Sequence, residues 1–174
     1  MLGTLRDPLP VNDIEQIQNV YSETAIIARK GHPLTRNTAP SLAELASFGW
    51  IVEPRGSVSH GFFDKMFEPL PVEHEVRKLE CGSIVSIRPM LMEGDWVALL
   101  STHQVQYEIE NGDLVIVKTD FDGPRFPIGI TTRANWLPTG IQAKFLSILD
   151  SQTSKLISDP VGHGHTKRLE REIL

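Results

Sequence analysis

The sequence predicts an α/β fold in which helices cover a parallel or mixed sheet. Short apolar segments typical of buried strands alternate with longer segments whose apolar residues recur at helical spacing. The connections between these segments are short and contain glycine or proline. Ser41, Ser101 and Thr139 each stand three positions before Glu or Gln, which is the spacing of a helix capping box. Such alternation of strands and helices is typical of a sheet flanked by helices.

The elements follow one another in a readable order. Strands are predicted at 24–28, 50–53, 73–79, 96–100, 114–117 and 126–132. Helices are predicted at 41–47, 59–67, 83–93, 102–111 and 140–157. Pro89 is expected to kink or shorten the third helix, because proline removes a backbone donor and clashes with the preceding turn.

Composition restricts the class of protein. The 174 residues are 40% hydrophobic, enough for one domain or two small lobes. The net charge is −5, and no basic face stands out, so we do not expect this chain itself to contact nucleic acid. Cys81 is the single cysteine, which excludes an intramolecular disulfide and fits a reducing cytoplasm. The sequence contains no signal-peptide pattern and no run of 18 apolar residues, so no membrane contact is expected.

Three blocks of sequence follow one another with a distinctive order of motifs and elements. Ala28–Ser57 has HPL after a strand, then a helix marked by leucines, then a Trp-Ile-Val strand. Leu91–Val117 has a helix, a strand, a second helix and a second strand, and Pro127–Leu149 has a last strand and helix. In this collinear order the three blocks resemble the effector-binding domains of LysR-type bacterial transcription regulators. The resemblance covers about residues 3–150. It is strongest to the branch with the galactose-binding-protein and protocatechuate regulators.

The resemblance implies a periplasmic-binding-protein-like domain of two α/β lobes. Residues 1–22 would be a remnant of the first lobe and a crossover, and 23–113 the complete second lobe. Residues 114–157 would be the return crossover and the C-terminal part of the first lobe, followed by a tail at 158–174. Gly3-Thr4-Leu5 stands near the start, where the family has a further strand–helix–strand–helix before it. We therefore expect a partial first lobe, without the winged helix-turn-helix and linker helix.

In this layout a small molecule would bind in the cleft between the lobes. Helix N-termini attract anions, and hydroxyl groups both donate and accept hydrogen bonds, which suits a sugar or an aromatic or organic acid. Arg55 would supply charge for an acidic ligand. Ser57 and Ser83 also fit simple helix N-caps, and Thr131 also fits a plain strand residue. The predicted ligand-binding residues are Thr4, Arg55, Ser57, Ser59, His60, Cys81, Gly82, Ser83, Thr131 and Thr132.

Enzymatic patterns are weak. Ser57 to Gly61 (SVSHG) partly matches the nucleophile elbow but lacks its first glycine. Cys81 with His60 or His74 would form a nucleophile pair, although a lone cysteine near a helix start is more often a small packed residue. His163 and His165 are two apart but have no evident third metal ligand. We therefore expect no enzyme, no cofactor and no metal.

The resemblance implies an effector-binding domain that controls DNA binding by a longer regulator. DNA contact would occur only through the missing winged helix-turn-helix. Alternatives are a solute-binding protein of the same fold and a protein-interaction module of a truncated regulator. A partial first lobe would expose the apolar residues of its strands and helix, and strand 126–132 would be an open edge. We therefore expect a homo-oligomer formed through the C-terminal half. The residues expected to be exposed are Ile116, Ile128, Ile130, Ile141, Phe145 and Leu149.

Overall fold

The computed structural model describes residues 1–5, 12–71, 75–121 and 123–158. The strands are β1 (Leu2–Thr4), β2 (Ile14–Arg29), β3 (Gly49–Val52), β4 (Lys78–Glu80), β5 (Trp96–Ser101), β6 (Leu114–Ile116) and β7 (Arg125–Arg133). The helices are α1 (Leu42–Ala46), α2 (Val58–Phe67), α3 (Ile84–Glu93), α4 (Gln106–Glu110) and α5 (Gly140–Ser158). Two 3-10 segments occupy Pro33–Arg36 and Thr102–Val105. The described residues group into two compact units, one within Met1–Val20 and Pro127–Leu174, the other within Tyr21–Phe126.

The unit within Tyr21–Phe126, called the central unit below, contains a mixed sheet. Strand β3 is parallel to β4 on one side and to β5 on the other. Strand β2 runs antiparallel to β5 and also pairs antiparallel with β6. The predicted sheet of strands near 24–28, 50–53 and 96–100 is confirmed, as is its α/β character.

Helices cover both faces of this sheet. On one face Trp50 lies at the centre, with its ring against the edges of Phe63 and Phe67 from α2, and its Nε1 donates to the Leu45 carbonyl at 2.9 Å. On the other face Leu91 of α3 and Val105 pack with the buried strand residues. The alternation of side chains along each strand therefore assigns α2 to one face and α3 to the other.

Two of the predicted helix caps are confirmed. Ser41 accepts a hydrogen bond from the Glu44 amide at 3.3 Å, and the Glu44 carboxylate accepts one from the Ser41 amide at 2.8 Å. The Ser41 amide, the Ser41 hydroxyl and the Asn37 side-chain amide all donate to the Glu44 carboxylate, and these bonds lower the pKa of that carboxyl below its usual value. At the start of α5, the Thr139 amide donates to Gln142 Oε1 at 2.8 Å, and the Gln142 amide donates to Thr139 Oγ1 at 3.4 Å.

The predicted shortening of the third helix at Pro89, the continuous helix at 102–111 and the Ser101 cap are not observed. Helix α3 continues through Pro89 from Ile84 to Glu93, because buried side chains on both sides of the proline, Ile87 and Leu91, anchor the helix to the sheet. The predicted helix at 102–111 is a 3-10 turn followed by the short α4. Its predicted Ser101 cap does not form, because the hydroxyl of Ser101 lies against that of Ser22 instead.

Two strand lengths also differ from the prediction. Strand β2 begins at Ile14, ten residues before the predicted strand. The prediction missed this first half because its polar residues do not form the apolar pattern of a buried strand. The strand predicted at 73–79 is limited to Lys78–Glu80; residues 72–74 lie outside the described residues. It is an edge strand with every residue exposed, so no buried face imposes an alternating pattern on it.

The unit within Met1–Val20 and Pro127–Leu174 is called the terminal unit below. Strand β1 pairs antiparallel with β7, with Thr4 opposite Ile128. Helix α5 and β7 line an apolar groove that includes Ile130, Phe145 and Leu149. None of the helices among the described residues is long and apolar enough to cross a membrane.

Candidate functional site

The carboxyl ends of three parallel strands lie at one edge of the sheet in the central unit. Strand β3 leads into the loop before α2, β4 leads into the loop before α3, and β5 leads into Thr102. In open α/β sheets, ligands bind beyond the carboxyl ends of parallel strands, because loops and helix N-termini converge there. This edge is the candidate site.

The loops after β3 and β4 are held against each other. The Cys81 amide donates to the Val52 carbonyl at 2.8 Å, and the Arg55 amide donates to Glu80 Oε1 at 3.2 Å. A Cβ at Gly82 would lie 3.1 Å from Pro54 Cγ, so the absence of a side chain there permits the close approach. The structure therefore brings the predicted residues Arg55, Cys81 and Gly82 to one place.

The start of α2 is fixed by two hydrogen bonds. Ser57 Oγ accepts from the His60 amide at 3.1 Å, so Ser57 is the N-cap of this helix. His60 Nδ1 lies 2.6 Å from the Glu53 carbonyl oxygen, and its Nε2 lies 3.6 Å from Asp64 Oδ2. The buried His60 ring thereby links the loop after β3 to the helix that follows it. Ser59, the second residue of α2, is half-buried.

The start of α3 is organised differently. Ser83 occupies the N-cap position, but its side chain makes no capping hydrogen bond and is exposed. Cys81 is half-buried, with its Sγ 3.9 Å from the Ser83 carbonyl oxygen. The Ser83 hydroxyl is therefore exposed at this edge and makes no hydrogen bond that caps the helix.

Three hydroxyl residues on β2 and β5 join this edge, and the sequence reasoning missed them. Ser22 and Thr24 are only 3% and 6% exposed. The Ser22 and Ser101 hydroxyl oxygens are 2.5 Å apart across the antiparallel strands, while Thr24 Oγ1 is buried without a hydrogen-bond partner among the described residues. Alternation along the strands places all three on the face that α2 covers. The signal was present in the polar alternation of Ser22 and Thr24 before the apolar Ala25–Ile27.

Charged residues of both signs lie on neighbouring positions of β2 and on the adjoining loops. Arg125 lies 2.7 Å from Glu23 and 5.5 Å from the centre of the Tyr21 ring, and Thr102 Oγ1 donates to the Glu23 carbonyl at 3.3 Å. Arg55 is exposed. The positive ends of α2 and α3 add to the attraction for an anion at this edge. The arrangement is suited to binding a polar ligand with hydroxyl or carboxylate groups.

The remaining predicted site residues lie in the terminal unit. Thr4 is exposed on β1, and Thr131 and Thr132 are half-buried on β7. Thr131 Oγ1 accepts a hydrogen bond from Gln16 Nε2 at 3.2 Å. This contact gives Thr131 a role within its own sheet.

The cysteine and histidine residues that could serve in catalysis or metal binding do not form a pair or a cluster among the described residues. Cys81 Sγ lies 3.9 Å from the Ser83 carbonyl oxygen, whereas the His60 ring lies against the Glu53 carbonyl, 2.6 Å from Nδ1. Among residues 1–5, 12–71, 75–121 and 123–158, no group of three His, Cys, Asp or Glu side chains is placed to hold a metal ion. His74, His163 and His165 lie outside the described residues.

Known proteins match most of this chain. The LysR substrate binding domain family matches residues 2–153. The chain is 28% identical to the HTH-type transcriptional regulator GalR of Pseudomonas putida, over 79% of this chain and 34% of that protein. It is 26% identical to the HTH-type transcriptional regulator GbpR of Azospirillum brasilense, over 67% of this chain and 34% of that protein. The chain thus spans about a third of the length of these relatives.

Solved structures match the fold. The regulatory domain of CcmR from Synechocystis PCC6803, in complex with 2-PG, has a TM-score of 0.67 and 22% identity, over 87% of this chain and 73% of that one. The effector binding domain of QuiR in complex with shikimate has a TM-score of 0.62 and 12% identity, over 87% of this chain and 70% of that one. At these identities the likeness concerns the fold.

Proposed function

This chain belongs to the LysR substrate binding domain family, and from that premise we propose that it is the effector-binding domain of a bacterial transcription regulator. The relatives that it matches are HTH-type transcriptional regulators, which supports a role in gene control. The proposal is that a small molecule binds this domain and thereby changes DNA binding or activation by the complete regulator. DNA would be contacted by a separate winged helix-turn-helix, and the regulator would act in the cytoplasm.

We propose that the effector contacts the carboxyl edge of the sheet in the central unit. The observation that carries this is the concentration of hydroxyl groups there, with Thr24 Oγ1 buried and without a partner among the described residues. A buried hydroxyl without a partner costs about 1–3 kcal/mol, so a ligand or water that reached it would recover that energy. The other proposed contacts within this unit are Arg55, Ser57, Ser59, Cys81, Gly82, Ser83 and Thr102. His60 would act by holding the Glu53 carbonyl.

The proposed ligand is a sugar or a small aromatic or organic acid. Hydroxyl groups and backbone amides recognise sugar hydroxyls, while Arg55 and the N-termini of α2 and α3 favour a carboxylate. Two domains of similar fold were solved in complex with 2-PG and with shikimate, which supports a small-molecule ligand. We propose a binding role and no catalysis, because the edge offers ligand-binding groups rather than a nucleophile paired with a base.

The proposal is tested by following thermal unfolding of the chain with galactose, shikimate, protocatechuate and other small sugars and acids. A ligand at about 100 times its dissociation constant should stabilise the native state by about 2.7 kcal/mol. The effector should then be confirmed by isothermal titration calorimetry at one site per chain. No stabilisation by any compound at millimolar concentration would contradict the proposed site.

The effector affinities of two alanine variants, each compared with a control variant, test which residues contact the effector. Ser83→Ala and Arg55→Ala change exposed side chains whose loss should leave the fold unchanged, and each should weaken effector binding. Ser86→Ala and Arg36→Ala change exposed side chains that lie outside the proposed set of contacts, and should bind as the original chain does. Equal affinity in all four variants would place the effector elsewhere. A coding sequence for a winged helix-turn-helix directly upstream would support the regulatory role over a solute-binding protein.

A further inference from the structure

Three side chains of the central unit form a cluster beside the candidate site, and none of them is among its proposed contacts. Arg125 lies 2.7 Å from Glu23 Oε1, and its guanidinium carbon lies 5.5 Å from the centre of the Tyr21 ring. The Arg125 and Glu23 side chains are 48% and 51% exposed, and Tyr21 is 41% exposed, so a dissolved ligand reaches all three. This set of Tyr21, Glu23 and Arg125 is called the Glu23 cluster.

The Glu23 cluster is fixed at the carboxyl end of β5. Strand β2 pairs antiparallel with β5 there, and Thr102 Oγ1 donates to the Glu23 carbonyl at 3.3 Å. The Thr24 amide donates to the Pro124 carbonyl at 3.2 Å, which holds Arg125 beside the same part of β2. The backbone that carries the cluster is therefore anchored on both sides.

The Glu23 cluster shares one face of the sheet with the start of α3. Alternation along β2 places Tyr21 and Glu23 on the same face as Ile27, and that face packs against Leu91 of α3. Helix α3 begins with Ser83 exposed at its N-cap position. The cluster thus adjoins the edge where the effector is proposed to bind.

Positive charge at this edge has negative charge beside it. The guanidinium of Arg125 has the Glu23 carboxylate as its counter-ion. Glu80, whose Oε1 accepts from the Arg55 amide, lies next to the second arginine. An acidic ligand would bring its own carboxylate close to Glu23 and Glu80, and like charges placed side by side select against such a partner. A neutral ligand meets no such repulsion.

The groups of the Glu23 cluster match the surface of a sugar. A carboxylate accepts two hydrogen bonds and a guanidinium donates two in one plane, which suits neighbouring hydroxyl groups that both donate and accept. The face of a sugar ring carries C–H groups, which pack against an aromatic ring such as that of Tyr21. Amides at the start of a helix donate to a hydroxyl oxygen as well as to a carboxylate.

We propose that the Glu23 cluster makes the site selective for a neutral sugar over a small acid. Glu23 and Arg125 bind neighbouring hydroxyl groups of the sugar ring, and Tyr21 packs on its face. Ser83 and Thr102 lie at the rim of the same edge. This inference rests on the proposed effector site and narrows its ligand from a sugar or an acid to a neutral sugar.

The test compares neutral sugars with uronic acids that share their ring, by isothermal titration calorimetry on the whole chain. The pairs are galactose with galacturonate, glucose with glucuronate, and mannose with mannuronate. One neutral sugar should bind at one site per chain, and its uronic acid should bind more weakly by about tenfold or more. A uronic acid that binds as tightly as its sugar would overturn the selectivity.

Glu23→Gln removes the negative charge and keeps the shape of the side chain. It should weaken the neutral sugar by about fivefold and reduce its preference over the uronic acid, because Arg125 then lacks its counter-ion. The matched control is Asp95→Asn, which breaks the ion pair of 2.6 Å with Arg29 at the other end of β5. The control should bind both ligands as the original chain does. An unchanged preference in Glu23→Gln, or an equal change in the control, would overturn the proposal.

Folding of both variants is checked by circular dichroism and thermal unfolding. If Glu23→Gln does not fold, Tyr21→Leu removes the aromatic face and should weaken the neutral sugar by about fivefold; unchanged affinity there would overturn the proposal. Binding of shikimate or protocatechuate that is weakened by Ser83→Ala, without binding of any sugar, would overturn the selectivity and leave the effector site in place. No binding by either class would contradict the effector site as well.

Discussion

The Ser22 and Ser101 hydroxyl oxygens lie 2.5 Å apart across β2 and β5, and Ser22 is only 3% exposed. Ser101→Ala should therefore leave the Ser22 hydroxyl buried without its partner. We expect a loss of about 1–3 kcal/mol in the free energy of unfolding, measured by urea denaturation. Ser86→Ala, which changes an exposed serine of α3, should cost less than about 0.5 kcal/mol.

The double variant Ser22→Ala/Ser101→Ala completes this test. Removing both hydroxyls leaves no unpaired group at this position, so the double variant should be more stable than the sum of the single losses predicts. Additive losses would show that the two hydroxyls do not stabilise each other.

Ser57 and Ser83 begin neighbouring helices but should respond differently to alanine. Ser57 accepts a hydrogen bond from the His60 amide, whereas the Ser83 side chain caps nothing. Ser57→Ala should lower the free energy of unfolding by about 1 kcal/mol, and Ser83→Ala should change it by less than about 0.5 kcal/mol. Denaturant titration of both variants measures the difference. Equal losses would contradict the distinction between the two N-caps.

His32 should make stability depend on pH. Burial lowers the pKa of this fully buried histidine below its usual value of 6.5, against a smaller opposing effect of Asp95. The folded state thus keeps His32 neutral at pH values where the unfolded chain binds a proton. The stabilisation is complete above pH 6.5 and decreases as the pH falls from there towards the lowered pKa.

The variant His32→Gln isolates this contribution. Between pH 7.5 and about pH 5, the original chain should lose more unfolding free energy than the variant, with a difference in slope that approaches one proton. His103→Gln changes an exposed histidine and should keep the slope of the original chain. Parallel pH profiles for the original chain and His32→Gln would exclude His32 as the source.

Two glycines should respond to alanine in opposite directions. A Cβ at Gly123 would lie 1.8 Å from the Thr24 carbonyl oxygen, so Gly123→Ala requires the backbone to shift. We expect a loss of about 1–3 kcal/mol or more. A Cβ at Gly61, inside α2, has nothing within 4 Å, so Gly61→Ala should stabilise the chain by about 0.4–1 kcal/mol. Thermal unfolding of the two variants checks both signs, and destabilisation by Gly61→Ala would contradict the second.

Local features of the fold were determined by the sequence. The strand at 50–53 and the helices at 41–47, 59–67 and 83–93 agree with β3, α1, α2 and α3 within one residue at either end. The capping boxes at Ser41 and Thr139 were predicted from spacing alone. These features depend on residues within one or two helical turns of each other, so their physical causes are visible in a short stretch of sequence.

The tertiary structure decided which polar residues share one edge. Ser22 and Ser101 are separated by 79 positions in sequence, and their contact depends on the antiparallel register of β2 with β5. Arg55 and Glu80 meet because β3 and β4 lie side by side in parallel. The register of paired strands is set by the packing of both sheet faces, which no local pattern contains. The sequence therefore determined the order of the elements and the kinds of groups at their ends, while only the pairing of distant strands determined which of those groups could face one ligand.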